Sequence, residues 1–284
     1  KNGGNISGAT GATYAVNNAQ GDANGTYSVL LTGPGGTTTS ANAIIGVRLP
    51  NNLGEFTGGL VAYYPFNGNA QDQSGNGYHG TVHGATLTTD RNGAGSKAYK
   101  FNSNYISLPS GLNLQGNQVT ISAWMNVDPG DQGSWGQVVG SKRDIDNSRN
   151  ISIFVKGTDR RLTVEVDTTD SSVVNQFEMH GSNQFGNGNW FLATMVYDGS
   201  TLTEYINGVK GASMVATGNF TSGHTWKIGG TTSEPGGGWH FNGKIDDIRI
   251  YNRAMSAAEV TQLYNLEKPS LTSGLVAYYP FNDQ

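Results

Sequence analysis

The run "FNGKIDDIRIYNRAMSAAEVTQLYN", residues 241–265, holds two periodicities side by side. Its first half, "GKIDDIRIYN", is rich in isoleucine and tyrosine and reads as a strand. Its second half changes period. Ser256 can cap a helix, and Glu259, three residues on, can reach back to complete a capping box. Val260, Leu263 and Tyr264 then fall on one helical face. The run therefore predicts a late strand followed at once by a short docking helix.

Upstream, short strand-like runs dominate: "YKFNSNYISL", "VTISAWMNV", "GQVVGSK", "NISIFVK", "RLTVEV", "WFLATMVYDG", "TLTEYING" and "HTWKIGG". Several alternate apolar and polar residues, as half-buried antiparallel strands do. Asn207-Gly208 in "TLTEYINGVK" is a strong hairpin signal. Composition agrees. Glycine supplies 42 of 284 residues and only 13% are charged, while 36% are hydrophobic and 10% aromatic, enough to bury a core. An all-β protein is expected.

Bulk charge excludes some classes. The net charge is −4 and no Lys/Arg cluster is visible along the sequence, so a nucleic-acid partner is not expected. No apolar run is long enough to insert into a membrane. Cysteine is absent, so disulfides play no part.

"GLVAYYPFN" occurs twice, at Gly59–Asn67 and at Gly274–Asn282, an offset of 215 residues (274 − 59). Such an aromatic-rich identity points to a repeat. Residues 1–48 read as three strands, with Asn24-Gly25 and Pro34-Gly35-Gly36 as turns.

Together, "GLVAYYPFNGNAQDQSGNGYHGTVHGA", "VTISAWMNV", "NWFLATMVYDGSTLTEYINGVKG" and the late strand-helix run resemble the laminin-G-like, concanavalin A-like lectin domains of bacterial surface and secreted proteins. The resemblance covers residues 59–266 and implies an antiparallel jelly-roll β-sandwich. Residues 1–48 resemble the back half of a bacterial immunoglobulin-like domain; Tyr27 follows Gly25-Thr26, but Asp22 sits one place early and Val29 stands where such domains carry a cysteine. The expected organisation is a partial immunoglobulin-like module at 1–48, a linker at 49–58, the jelly roll at 59–266, and a linker with the first strand of a following repeat at 267–284.

Several motifs invite chemistry. "EVDTTD", Glu165 to Asp170, approaches the Glu-x-Asp-x-x-Glu of laminarinase-type hydrolases, which share the jelly roll. Its third acid is one methylene short and points away on a regular strand. The plainer expectation places Leu162, Val164 and Val166 in the core and leaves Glu165 and Asp167 facing water, so no catalytic residue is assigned and no enzyme expected. "GWHFNGKI" has Ile245 where a phosphate-binding loop needs Ser or Thr. His79 and His83 lie among glycines, without a third ligand for zinc nearby.

A structural calcium ion is expected at Asp72 and Asn76 in "NAQDQSGNG", since hard cations take carboxylate and amide oxygens. The family resemblance adds Asp246 of the late strand, with Asp247 beside it, as the further ligand. For a sugar, the useful set is an aromatic face with planar polar groups on a loop-built rim. Trp135 and the pair Trp239 and His240 lie in loop-like stretches, and Asp144, Asp146 and Arg149 can add hydrogen bonds. Trp124 and Trp190 are expected in the core.

The expectation is thus a non-enzymatic extracellular or cell-surface protein. It is read as a slice of a tandem β-sandwich array, adhesive or structural, with neighbouring copies and surface glycans or polysaccharide as partners. The alternative is a carbohydrate-binding module attached to a polysaccharide-degrading enzyme.

Overall fold

All nine residues of Val119–Val127 are buried, on both faces of the strand they form. Val119, Ile121, Ala123, Met125 and Val127 join the hydrophobic core, while Thr120, Ser122, Trp124 and Asn126 point the other way, so the opposite face must be covered too. The arrangement below is a computed structural model, which describes residues 1–11, 13–14, 25–45, 56–129, 135–142, 149–157, 160–168, 178–184, 188–221, 225–230 and 240–269. The chain divides into two compact units, Lys1–Phe56 and Thr57–Gln284.

The first unit has four short strands, β1 (Gly25–Tyr27), β2 (Leu30–Gly33), β3 (Gly36–Thr39) and β4 (Ala43–Ile45), where three were expected. β2 and β3 form a hairpin across Pro34-Gly35, and β1 pairs with β4. Gly25 opens a strand instead of turning a hairpin. Val29, Leu30 and Leu31 are 58–60% exposed, so they contribute little to a core.

The second unit holds β5 (Leu60–Tyr64), β6 (Thr81–His83), β7 (Thr86–Thr88), β8 (Ala98–Phe101), β9 (Tyr105–Leu108), β10 (Gln115–Gly116) and β11 (Val119–Val127). It continues with β12 (Trp135–Lys142), β13 (Arg149–Lys156), β14 (Arg161–Val166), β15 (Glu178–Gln184) and β16 (Trp190–Tyr197). It closes with β17 (Thr201–Ile206), β18 (Val209–Val215), β19 (Phe220–Thr221), β20 (Thr225–Ile228), β21 (Gly243–Tyr251) and the helix α1 (Ala257–Glu267).

Two antiparallel sheets form the jelly-roll sandwich. One runs β18-β17-β16-β11-β21-β8-β7 with β5 also on β21; the other runs β15-β14-β13-β12-β20-β9-β6. "YKFNSNYISL" is not one strand: β8 belongs to the first sheet and β9 to the second, and Asn102–Asn104 carry the chain across. Asn207 and Gly208 take φ of 52° and 77°, the left-handed pair that a tight hairpin needs, between β17 and β18.

β21 breaks strict alternation. Ile245 and Ile248 are three apart, yet both face the core. Asp247 takes φ of 44°, and the pairing with β11 shifts register there, so a bulge restores the isoleucines to one face. The same bulge sends Asp246, Asp247 and Arg249 to the outer face, under α1.

That interface is a buried ionic seat. Arg91 bonds Asp246 and Asp247, each at 2.7 Å, and its Nε donates to the Glu267 carbonyl at the end of α1 at 2.7 Å. Glu267 pairs with Arg249 and accepts from Trp124 Nε1 at 2.8 Å. Tyr63 of the first "GLVAYYPFN" donates to Asp247 at 2.6 Å. Trp124 also stacks on Tyr264, with ring centroids 5.8 Å apart. The capping box at Ser256 and Glu259 is formed as expected, and Val260 and Leu263 are buried. Trp124 is therefore buried, though it packs beneath the helix and not between the sheets; Trp190 is only half-buried. The second "GLVAYYPFN" and most of the 49–58 linker lie outside the described residues.

Candidate ligand-binding site

With the first sheet's outer face committed to α1, the outer face of the seven-stranded sheet holds the unexplained polar chemistry. Its inner face is apolar: Ile106, Trp226, Ile228, Val139, Ile153 and Val164 all join the core. The alternate residues form rows across the strands, because register fixes which residues stand abreast.

One row runs from Ser107 on β9 through Lys227, Gly140 and Ser152 to Glu165 on β14. Lys227 is 8% exposed, and Ser152 and Glu165 are fully buried. Leu162, Val164 and Val166 face the core as expected. Glu165 and Asp167 do not face water, however, since their outer face is covered where they stand. Alternation gave their side of the sheet correctly and could not report a cover. Asp170 lies outside the described residues. Gly140 is required here: a Cβ would sit 2.8 Å from Ser152 Cβ and 2.9 Å from the Ile151 carbonyl.

The next row holds Gln137, Phe154 and Thr163. His240 makes a parallel bridge to Gln137, whose amide donates to the carbonyl of Gly230 at 3.2 Å. Burial first, then the nearby Lys227 ammonium, lowers the His240 pKa below its usual value. An extra residue, Val138, enters β12 at this point, so Val138 and Val139 both reach the core while Gln137 stays outside.

The end row begins at Trp135, which pairs with Lys156; beyond it, Arg161 pairs with Gln184. Trp135 is the first residue of β12 and half-buried, not a loop residue, with its ring edge-on to Phe154 at 6.1 Å. The Lys156 ammonium lies 5.2 Å from its ring centroid. At the sheet's other edge, His83 stacks on Tyr105 at 4.5 Å and bonds Ser107 Oγ at 2.9 Å, and Lys227 lies 3.6 Å from the Tyr105 centroid.

The expected sugar ligands are thus partly united and partly separated. Trp135 opens β12, and His240 is bridged to Gln137 two residues farther along that strand. Arg149 begins β13 opposite Lys142, at the other end of the hairpin. Seven residues of extended chain separate Trp135 from Lys142, about 23 Å. Arg149 therefore stands apart from Trp135 and His240. Asp144, Asp146 and Trp239 lie outside the described residues.

The expected calcium ligands face protein donors. Asp72 Oδ1 accepts from the amides of Tyr63 and Ser74, and Oδ2 from Ser74 Oγ and the Tyr78 amide, all at 2.9 Å. Asn76 turns its Nδ2 to the Val61 carbonyl at 2.9 Å. Asp246 is spent on Arg91 and on the Asp247 amide. Each of these carboxylates thus accepts hydrogen bonds or ion pairs from protein groups. Among the described residues no group of three or more His, Asp or Glu side chains is placed to hold a metal. His79 accepts from the Asp72 amide, so it and His83 serve separate partners.

The family model of the concanavalin A-like lectin/glucanases superfamily matches residues 100–261, more than half of the chain. The chain belongs to that superfamily. Among solved structures it is similar to the binding domain of Paraclostridial Mosquitocidal Protein 1, at 21% identity and a TM-score of 0.57, over 73% of this chain and 52% of that one. It is similar to domain 4 of AbnA, a GH43 extracellular arabinanase from Geobacillus stearothermophilus solved with arabinotriose, at 24% identity and a TM-score of 0.54, over 72% of this chain and 98% of that domain. The Botulinum neurotoxin serotype G binding domain matches at 16% identity and a TM-score of 0.57, over 73% of this chain and 51% of that one. This chain spans about half the length of the toxin domains. At these identities the likeness shows the fold. No curated protein sequence matches. The structural neighbours of this superfamily member are mainly binding domains. Among the described residues no helix is long and apolar enough to cross a membrane.

The residues that sequence reasoning missed are Lys156, Arg161 and Gln137. Their signal was present. Reading "GQVVGSK", "NISIFVK" and "RLTVEV" as two successive hairpins would have put Trp135, Lys156 and Arg161 abreast.

Proposed function

We propose that the chain is a non-enzymatic, extracellular carbohydrate-recognising module in an adhesive or structural β-sandwich array. The observation that carries this reading is the end of β12. There Trp135 stands half-buried on the outer face of the sheet, two residues along the strand from Gln137, to which His240 is bridged. An aromatic plane beside planar hydrogen-bonding groups is the chemistry sugars require. The repeated "GLVAYYPFN" supports the array, in which residues 274–282 open a following copy and neighbouring copies are partners. Residues 1–48 are then a partial immunoglobulin-like spacer. Many weak sites in series gain avidity through effective concentration.

A second reading, a carbohydrate-binding module carried by a polysaccharide-degrading enzyme, is favoured by the arabinanase domain, 98% of which this chain matches.

The test is a binding panel of neutral and acidic oligosaccharides, run with wild type and Trp135→Ala. Binding by wild type that Trp135→Ala weakens at least about tenfold, without loss of fold, supports the site. Binding that the substitution leaves intact, or none to any saccharide, overturns it. Hydrolysis of any panel member by wild type would overturn the non-enzymatic part.

A further inference from the structure

We propose that the end row of the seven-stranded sheet selects saccharides that carry a negative charge, a carboxylate or a sulfate. This deepens the carbohydrate reading and rests on it.

Among the described residues, four cations of this acidic chain are paired with carboxylates. Arg91 is taken by Asp246 and Asp247, Arg249 by Glu267, Arg253 by Glu259 and Lys100 by Asp128. Lys156 and Arg161, like Lys97, Lys210, Lys244 and Lys268, have no carboxylate partner among the described residues. What sets these two apart is that they stand side by side next to an indole. Strand register puts them together. Val155 pairs with Leu162, and both face the core, so the next residues outward, Lys156 and Arg161, flank the β13–β14 turn on the outer face. Arg161 is exposed and Lys156 half-buried. Trp135 is directly abreast of Lys156.

Neighbouring strands lie about 4.8 Å apart, so the backbone positions of Trp135, Lys156 and Arg161 follow one another at roughly that spacing. Trp135 offers an apolar plane to a sugar ring. Arg161 can take a carboxylate or sulfate in a two-bond fork, and Lys156 adds a point charge. Two neighbouring cations on a chain of net charge −4 make a local field that an anion can find and that a neutral sugar would not need. The indole argues for a saccharide over an acidic polypeptide, which would use the cations alone.

The test is calorimetric binding of galacturonate hexasaccharide, a heparin-derived hexasaccharide and neutral arabinohexaose to the full chain, with a hexaglutamate peptide as a fourth probe. Wild type should bind the uronate, the sulfated saccharide or both, and the difference between them identifies the anion. That binding should weaken at about 0.3 M salt. Lys156→Gln and Arg161→Gln should each weaken it about tenfold, while Arg161→Lys, which keeps the charge but loses the fork, should weaken it less than Arg161→Gln. Both positions reach the surface, and thermal melting of each variant confirms the fold. Acidic saccharides bound equally well by the Gln variants overturn the proposal. Binding of arabinohexaose without the acidic probes overturns it and leaves the carbohydrate reading standing. No saccharide binding overturns both, and binding of hexaglutamate alone would replace the saccharide with an acidic polypeptide.

Discussion

Removing the Glu267 side chain should unseat the helix from the sandwich. The carboxylate pairs with Arg249 and accepts from Trp124 Nε1, and the side chains of Arg249 and Glu267 are 8% and 9% exposed. Glu267→Ala leaves a guanidinium and an indole N–H with no partner in a site nearly closed to water. Breaking a buried ion pair by deleting one member costs about 3–5 kcal/mol. The orphaned indole adds to that figure less than its own 1–3 kcal/mol, because the groups share one site. A loss of about 4 kcal/mol is expected, although helix propensity alone favours Ala. Glu267→Gln keeps an acceptor for Trp124 and should cost less. The pair need not be net stabilising for this to hold: burial raises the Glu267 pKa, with Arg249 opposing it, so its ionisation is itself costly in the native state. All five tryptophans, at 124, 135, 190, 226 and 239, fall in the second unit, so tryptophan fluorescence during urea unfolding reports on that unit alone. A loss below about 1 kcal/mol for Glu267→Ala would refute the seat as the helix anchor.

Other expectations follow from single positions. Gly229 has φ of +82°, and a Cβ there would lie 2.9 Å from Phe101 Cγ and closer still to the ring edge; Gly229→Ala should cost at least about 3 kcal/mol by chemical denaturation. Glu204 is 1% exposed, and its Oε2 has no partner among the described residues. Burial raises its pKa, so the native state holds that proton more tightly than the unfolded chain, and stability falls as pH rises from the ordinary carboxylate value through the raised one. Glu204→Gln should therefore raise stability by about 1 kcal/mol at pH near 7, with the gain vanishing below about pH 4; a gain that persists in acid would contradict the assignment. Because Asp72 is satisfied by four protein donors, EDTA and added calcium should both leave the melting temperature unchanged, and a rise with calcium would return the ion to that turn.

The fold was readable where one local rule dominated. The capping box, the Asn207-Gly208 turn and the alternation of β11 each announced themselves within ten residues. Reading failed where the decisive fact was non-local. Nothing in "YKFNSNYISL" says that its halves join different sheets, because that depends on partners far along the chain. Glu165 and Asp167 looked solvent-facing because alternation reports a side of the sheet and not what lies over it.

The same geometry narrows where recognition can occur. On the eight-stranded sheet, β11 and β21 spend their outward groups on α1: Trp124 stacks on it, and Asp246, Asp247 and Arg249 form its seat. On the seven-stranded sheet the middle of the outer face is closed, since Ser152, Thr163 and Glu165 are fully buried. Among the described residues exposure returns at the β6–β9 edge with His83, at Thr225 of β20 and at the β13–β14 turn with Arg161. At the first, His83 is stacked on Tyr105 and bonded to Ser107, and Lys227 rests on the same tyrosine, so its groups already serve one another. At the β13–β14 turn two cations stand beside an indole, and neither pairs with a carboxylate among the described residues. A ligand that completes the chemistry of this surface therefore has more to offer at the β13–β14 turn, and an anionic saccharide supplies both the ring and the charge missing there.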